Sequence, residues 1–374
     1  MMKKFCTLLL IVALCVGCLM PLCSCKESKY ERVESTDEEK RIVMRLELGG
    51  KTYDVRYELY RALFLNLKST VDGGDETVWE GEQSEAYTEQ IDALILDRIC
   101  EIYSAFALCN RVGIDIYSSK VEDTIDEYIR ADIEGGEGVV GYGSYEKYLE
   151  ALKKMNLNCQ TQVLLYRYAI AVDMLDEHYI GTFDAEDISD SIAVGSIQYT
   201  REDVEQFYFS DGCVRVLRAM VDPSNYFEHQ VEEKVNAIRE LILQAASKGE
   251  SAVAAAMIGN TTMAGSEVER GYVIGRHNLD NTYYGGMTEA AFALSGGEVS
   301  EPIYVNDGSV EAYYILYRAE KSDSNFDECY SDIAYVFLRN KVGGYMDEMS
   351  LQLKEGARAT EILEQIDRAS ISMD

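Results

Sequence analysis

The spacing of apolar residues changes twice along this chain, and that change constrains the fold more than any other feature. Over residues 57–179 apolar side chains recur at three- and four-residue steps, as at Ile91 and Ile95, which is the spacing of amphipathic helices. Between about 214 and 320 strand-like and helical patterns alternate, and helical spacing returns over 327–366. The sequence therefore predicts fold class α+β, a mainly helical chain that contains a smaller segment of mixed structure.

Individual elements follow from the same patterns together with turn and cap signals. Thr200 and Asp203 have the spacing of a capping box at a helix start. Runs rich in β-forming residues predict strands at 43–48, 214–221, 302–305 and 312–317. Helices are predicted at 57–67, 91–106, 118–129, 144–155, 159–179, 232–248, 327–355 and 360–366.

The first 25 residues have the pattern of an export signal. Lys3 and Lys4 precede an apolar run over 5–22, which ends in Leu-Cys-Ser-Cys at Cys25. This ending resembles the lipobox of bacterial lipoproteins, and it implies cleavage before Cys25 with a lipid on its sulfur. Cys18 is the alternative lipidation site, and an uncleaved membrane anchor is a further alternative because 18 apolar residues nearly span a bilayer. Either interpretation puts the remaining chain outside the cytoplasm.

Charge and composition exclude several classes of function. The 35 Lys and Arg against 66 Asp and Glu give a net charge of −31, which repels phosphate backbones, so we expect no nucleic-acid partner. The three histidines lie far apart in the sequence, so no histidine-based metal site is expected, and nothing indicates a cofactor. The carboxylates at Asp184, Glu186, Asp187 and Asp190 lack a calcium-loop spacing and are interpreted as solvated surface.

The cysteines do not form a disulfide framework. Beyond Cys25 five remain, and they are widely spread. An odd, dispersed set is typical of buried single thiols, with one optional bridge possible. The five are Cys100, Cys109, Cys159, Cys213 and Cys329.

The mixed segment 214–320 resembles a parvulin-type peptidyl-prolyl isomerase domain. Its order of strand, long helix, glycine-containing loop and final strand is that of the family, and the stretch 290–303 is its most specific part. The helical segment 44–200 also resembles the N-terminal domain of SurA-like and PrsA-like extracytoplasmic foldases. In that family the parvulin module is inserted between N- and C-terminal helices. The resemblance implies a signal peptide at 1–24, a charged tether at 25–42, a helical chaperone domain at 43–200, a parvulin-like domain at 201–325, and C-terminal helices at 326–374 that pack on the N-terminal domain.

The resemblance also implies positions for a site. The two histidines of parvulins fall on Arg218 in the first strand and on Tyr314 in the last strand. The pocket that holds the proline ring falls on Leu279, Met287 and Phe292, which are all apolar. The polar catalytic positions have thus changed type while the pocket has not, which implies a degenerate active site. His277 matches no family histidine and is interpreted as a surface residue.

The expected function is that of a lipid-anchored extracytoplasmic chaperone or foldase that binds unfolded or newly secreted polypeptides. Isomerase activity is expected to be weak or absent. An active prolyl isomerase and a lipid-anchored protein that binds a small ligand are the alternatives. The 27 tyrosines suit contact with unfolded chains, and candidates for this role are Tyr142, Tyr145, Tyr166 and Tyr168.

Overall fold

The structure, a computed structural model, describes residues 30–136, 140–181, 195–277, 281–306 and 311–373. It divides into two compact units. The helical unit comprises the described residues up to Leu175 together with those from Tyr345 onward, and the sheet unit comprises Asp176–Gly344. The predicted α+β class, mainly helical with a smaller sheet-containing part, is confirmed. Across the described ranges, no helix is both long enough and apolar enough to cross a lipid bilayer.

The helical unit is built on a three-stranded antiparallel sheet and the helices that follow it. β1 lies in the middle, between β2 and β7. The expected strand at 43–48 is confirmed, and residues 51–56, expected to lead directly into a helix, add a second strand because Gly49 and Gly50 form a tight turn with positive φ. The elements are β1 (Ile42–Leu48), β2 (Lys51–Arg56), α1 (Tyr57–Asp72), α2 (Ser84–Arg111), α3 (Ser119–Glu134), α4 (Tyr145–Lys154), α5 (Cys159–Tyr179), and, after the sheet unit, β7 (Ala357–Ala359) and α13 (Glu361–Glu364).

The segment before β1 lies against this unit. We call residues 30–41 the N-terminal strap. Ser35 is buried, and the Arg32 guanidinium donates to Asp126 at 2.9 Å and to Glu122 at 2.7 Å. The tether expected over 25–42 is therefore docked over residues 30–41, because its charges pair with side chains about 90 residues away in the sequence.

The sheet unit contains a four-stranded antiparallel sheet in the order β4-β3-β6-β5. The predicted strands at 214–221, 302–305 and 312–317 are confirmed, and β4 is an addition that the sequence pattern did not predict. Thr200 and Asp203 form the predicted capping box. The elements are α6 (Arg201–Phe209), β3 (Cys213–Val221), α7 (Glu228–Ala246), α8 (Glu250–Ile258), α9 (Gly265–Arg270), β4 (Tyr272–Gly275), α10 (Asn281–Ala293), β5 (Ile303–Asn306), β6 (Glu311–Ala319), α11 (Asp323–Glu328) and α12 (Tyr330–Glu355).

The two faces of this sheet carry different side chains, because successive residues of a strand point to opposite faces. One face packs against α7, α8 and α9 through buried aliphatic residues such as Leu217, Ile242 and Ile315. The other face packs against α10 through Met287, Tyr314 and their neighbours. The α10 face also carries a charged residue, Arg218, near its centre.

Candidate functional site

Arg218 and Tyr314, the two positions implied to be catalytic, lie on the same face of the sheet. The register pairs Met220 with Tyr314 and Arg218 with Leu316, so Tyr314 stands diagonally across from Arg218 on the neighbouring strand. The guanidinium carbon of Arg218 is 5.3 Å from the centroid of the Tyr314 ring. The structure therefore brings together the two residues that the resemblance selected.

A second tyrosine completes the surroundings of Arg218. Tyr272 lies on β4, the strand on the other side of β3, opposite Val216. Its ring centroid is 3.8 Å from the Arg218 guanidinium carbon. Because the face of an aromatic ring carries partial negative charge, the two rings stabilise the cation between them. Burial raises the pKa of the Tyr272 phenol, and the nearby Arg218 charge acts in the opposite direction.

The hydroxyl of Tyr314 has a weak acceptor. It donates to the Met220 sulfur at 3.3 Å, and a thioether is among the poorest acceptors in proteins. The Tyr314 side chain is fully buried. An acid–base role would need a group that takes up or releases a proton, and Arg218 cannot serve because its guanidinium stays charged. Arg218 and Tyr314 can donate hydrogen bonds and stack through their planar groups. Both are interactions that bind a partner.

The implied pocket residues are partly in place. Met287 lies on α10 and is fully buried in the cluster that contains Tyr314. Phe292, on the same helix, is half-buried and lies under the Arg276 guanidinium at 4.4 Å. Leu279 lies outside the described residues, as do Cys25 and Cys18. Met287 is thus a core residue that holds α10 on the sheet, rather than the wall of an open slot.

Sequence reasoning missed Tyr272 and Met220, which complete the environment of Arg218 and Tyr314. The only signal for Tyr272 was the short run Tyr-Val-Ile-Gly at 272–275. Four residues are too few to reveal a strand by alternation, and the pairing with β3 supplies the rest. Met220 lies within the predicted strand β3, so the sequence located it on a strand. Its contact with Tyr314 depends on the register between two strands that are distant in sequence.

His277 and the five cysteines are the other titratable residues noted in the sequence, and contacts or burial hold each of them within the fold. The backbone N–H of His277 donates to the Asn340 side chain at 2.9 Å. Cys100, Cys109, Cys159, Cys213 and Cys329 are buried and free, as expected for single thiols. Burial raises the pKa of the Cys109 thiol to about 12, so this thiol is a poor nucleophile at neutral pH. Within the described ranges no cluster of His, Cys, Asp and Glu has the arrangement of a metal site.

The tyrosines proposed to contact unfolded chains divide into two groups. Tyr166 and Tyr168 are buried on α5 and belong to the core of the helical unit. Tyr142 is 40 % exposed, and Tyr145 is half-buried with its hydroxyl donating to the Glu31 carbonyl at 2.7 Å. Only Tyr142 and Tyr145 are therefore accessible to a partner.

A carboxyl group lies among the buried tyrosines. Asp132, on α3, accepts a hydrogen bond from the Tyr166 hydroxyl. Tyr148 is fully buried nearby. Burial raises the pKa of Asp132 to about 6, and the Tyr166 hydrogen bond only partly offsets this effect. The helical unit thus contains an acid surrounded by phenols, whereas the sheet unit contains a cation between two phenol rings.

Comparison with known proteins gives structural matches only. No protein-family model matches the chain, and no curated protein matches it significantly. The structure is similar to that of foldase protein PrsA from Streptococcus pneumoniae, with 16 % identity over 75 % of this chain and 88 % of that chain and a TM-score of 0.28. PrsA from Bacillus subtilis matches with 15 % identity over 73 % and 87 % of the two chains and a TM-score of 0.23.

A third match is foldase protein PrsA from Lactococcus lactis, with 15 % identity over 89 % of this chain and 99 % of that chain and a TM-score of 0.22. The chain is thus similar to three solved PrsA foldases.

Proposed function

We propose that this protein is an extracytoplasmic foldase of the chaperone type, anchored by a lipid on Cys25, that binds unfolded secreted polypeptides. In this proposal the sheet unit is a parvulin-like module that contributes binding and has weak or no isomerase activity. The resemblance of 214–320 to parvulins and the lipobox ending at Cys25 support the family and the location.

The observation that carries this proposal is the α10 face of the sheet, where buried side chains surround the Arg218 cation. Rotation about a prolyl bond has a barrier of about 18–20 kcal/mol, and a catalyst must hold the proline ring and favour the twisted amide. Here Met287, on α10, and Tyr314, on β6, are both fully buried. A charged group of this face, Arg218, lies between two tyrosine rings. Such a face favours a binding module over a catalyst.

An active prolyl isomerase is the second candidate. One observation favours it: Arg218 is only half-buried, and its guanidinium could donate to the carbonyl oxygen of a twisted amide. This mechanism needs no base, since no covalent bond is broken.

Two assays separate the candidates. The mature chain is first tested for suppression of aggregation of a chemically unfolded protein diluted into buffer, and we expect suppression at a near-stoichiometric ratio. A protease-free assay with a proline-containing peptide then measures isomerisation. We expect a rate no more than about tenfold above the uncatalysed rate, which corresponds to lowering the barrier by at most about 1.4 kcal/mol.

Variants of the sheet face are tested in both assays beside a control variant from the same unit. Catalysis well above this limit that falls in Tyr314→Phe or Met287→Ala would establish the active isomerase. Absence of any aggregation suppression would contradict the chaperone proposal and favour the small-ligand alternative. Phe209→Ser replaces a residue that is 44 % exposed in the same unit, so it controls for general effects of substitution.

A further inference from the structure

The N-terminal strap fixes where the chain leaves the helical unit. Arg32 contacts α3 near its middle, through Glu122 and Asp126. Tyr30, two residues earlier, reaches the last residue of α3, because its hydroxyl donates to Glu134 at 3.2 Å. Traced toward its N-terminus, the strap therefore runs along α3 toward the C-terminal end of that helix.

The strap is held along its length. The Tyr30 ring stacks on the Tyr145 ring at 5.5 Å, and the Val33 carbonyl accepts from the Gln160 amide at 2.9 Å. Farther along, Glu39 accepts from Arg61 at 2.6 Å and from Asn158 at 3.0 Å. These contacts involve α1, α3, α4, α5 and the α4–α5 turn, so releasing the strap requires breaking several independent interactions.

The docked strap leaves a short connection to Cys25. Only residues 26–29 separate Cys25 from Tyr30, and a fully extended chain of that length spans at most about 18 Å. A free tether over the whole of 26–42 would instead reach about 60 Å. A lipid on Cys25 would therefore keep the C-terminal end of α3 close to the membrane surface.

The same end of α3 carries exposed aromatic and aliphatic side chains. Val140 is 97 % exposed and Tyr142 is 40 % exposed. The Tyr142 N–H donates to the Asp132 carbonyl at 2.8 Å and the Gly143 N–H to the Ile133 carbonyl at 2.7 Å, which holds this loop against α3. We call Tyr30, Val140, Tyr142 and Tyr145 the tyrosine end.

We propose that the tyrosine end contacts the interfacial layer of the phospholipid bilayer, and that the docked strap orients the helical unit in this way. The inference rests on the proposed lipid at Cys25. Tyrosine suits this layer because its ring is apolar and its hydroxyl is polar. Glu31 and Glu134 lie at the same end, and their negative charges do not attract anionic lipids. The contact therefore depends on burial of the tyrosine rings in the interfacial layer and on the short connection to Cys25.

Depth-dependent quenching tests this orientation. The mature chain is isolated from bacterial membranes and reconstituted in phosphatidylcholine vesicles that contain a spin-labelled lipid quencher. A thiol-reactive fluorophore is attached to Val140→Cys, or to Ser119→Cys as the matched control. Ser119 is exposed at the other end of α3, about 22 Å from Glu134 at 1.5 Å per residue. The five native thiols are buried and react slowly.

We expect at least about threefold stronger quenching at Val140 than at Ser119, because quenching by lipid-borne labels falls off steeply with distance from the bilayer. Arg32→Ala removes the central contacts of the strap and should lower quenching at Val140 to the level at Ser119. Lys40→Ala removes an exposed pair within the strap, between Lys40 and Glu34, and should leave quenching unchanged.

The outcomes distinguish this inference from the proposed function. Intact-mass spectrometry of the purified chain reports whether Cys25 carries the lipid, and its absence would overturn both proposals. A lipid on Cys25 together with equal quenching at Val140 and Ser119 would overturn only the orientation. Quenching at Val140 that persists unchanged in Arg32→Ala would show that the strap does not set it, and would also overturn the inference.

Discussion

Tyrosine surrounds a charged side chain in both units, but it acts differently in each. In the sheet unit the rings of Tyr272 and Tyr314 present their faces to the Arg218 cation. In the helical unit Tyr166 presents its hydroxyl to the Asp132 carboxyl. A ring face stabilises a cation without a proton donor, whereas a buried carboxylate needs donors. Arg218 therefore keeps its charge, while Asp132 becomes sensitive to pH.

The largest effect is expected from Asp132→Asn. The pKa of Asp132 is raised from 3.8 to about 6 in the folded protein, so the folded state binds this proton more tightly than the unfolded chain does. The resulting stabilisation is complete below about pH 4 and is lost as the pH rises through about 6. At about 1.36 kcal/mol per pKa unit, the loss is up to about 3 kcal/mol.

Urea denaturation of both proteins at pH 4 and pH 7 measures this effect. The free energy of unfolding of Asp132→Asn relative to the wild type should be higher at pH 7 than at pH 4 by up to about 3 kcal/mol. The same difference at both pH values would show that Asp132 titrates normally.

Tyr166→Phe is expected to have the next largest effect. It removes the hydroxyl that donates to Asp132 and leaves a buried carboxylate without that donor, which costs about 1–3 kcal/mol at pH 7 and less at pH 4. Tyr148→Phe is the matched control, because among the described residues the Tyr148 hydroxyl has no hydrogen-bond partner. Equal losses in the two variants, measured by denaturation at pH 7, would contradict the assigned role of Tyr166.

Arg218→Met tests the cation between the rings. It keeps an unbranched, largely apolar stem and removes the guanidinium charge, and we expect a loss of about 1 kcal/mol from the two ring contacts. The loss should be the same from pH 5 to pH 8 because arginine stays charged over that range. Arg276→Met, which removes an exposed cation over Phe292, is the control and should cost less. A loss that varies with pH would link Arg218 to a titrating group.

Tyr314→Phe is expected to have the smallest effect. It keeps the ring face beside Arg218 and removes only the hydroxyl that contacts the Met220 sulfur. Since a thioether is a weak acceptor, removal of the contact with Met220 should cost less than about 0.5 kcal/mol. Denaturation of Tyr314→Phe and Tyr166→Phe under identical conditions makes the comparison direct. A larger loss in Tyr314→Phe would mean that the hydroxyl, and not the ring, is what matters in the sheet unit.

The strands that hold the site were predictable from local sequence. β3 and β6 are rich in β-forming residues over nine positions each, which is enough for alternation to appear. The resemblance selected Arg218 and Tyr314, and the register of β3 and β6 places them diagonally across from one another. β4 has only four residues, so Tyr272, the closest ring to Arg218, could not be assigned before its pairing was known.

The charged segment before β1 shows the opposite case. Its composition, with few apolar residues over 26–42, is typical of a solvated tether. The structure docks residues 30–41 because Arg32 and Glu39 meet partners that are about 90 and 119 residues away. Local composition carries no information about such pairs.

Local sequence predicted most of the helices and strands, the segment of mixed structure and the residue types at the candidate site. These depend on local spacing and on side-chain chemistry, which the order of residues contains. Tertiary packing buries Met287 against the sheet, brings Tyr272 beside Arg218 and lays the strap on α3. Each of these contacts joins residues that are distant along the chain, so each depends on how the folded elements pack rather than on any local pattern.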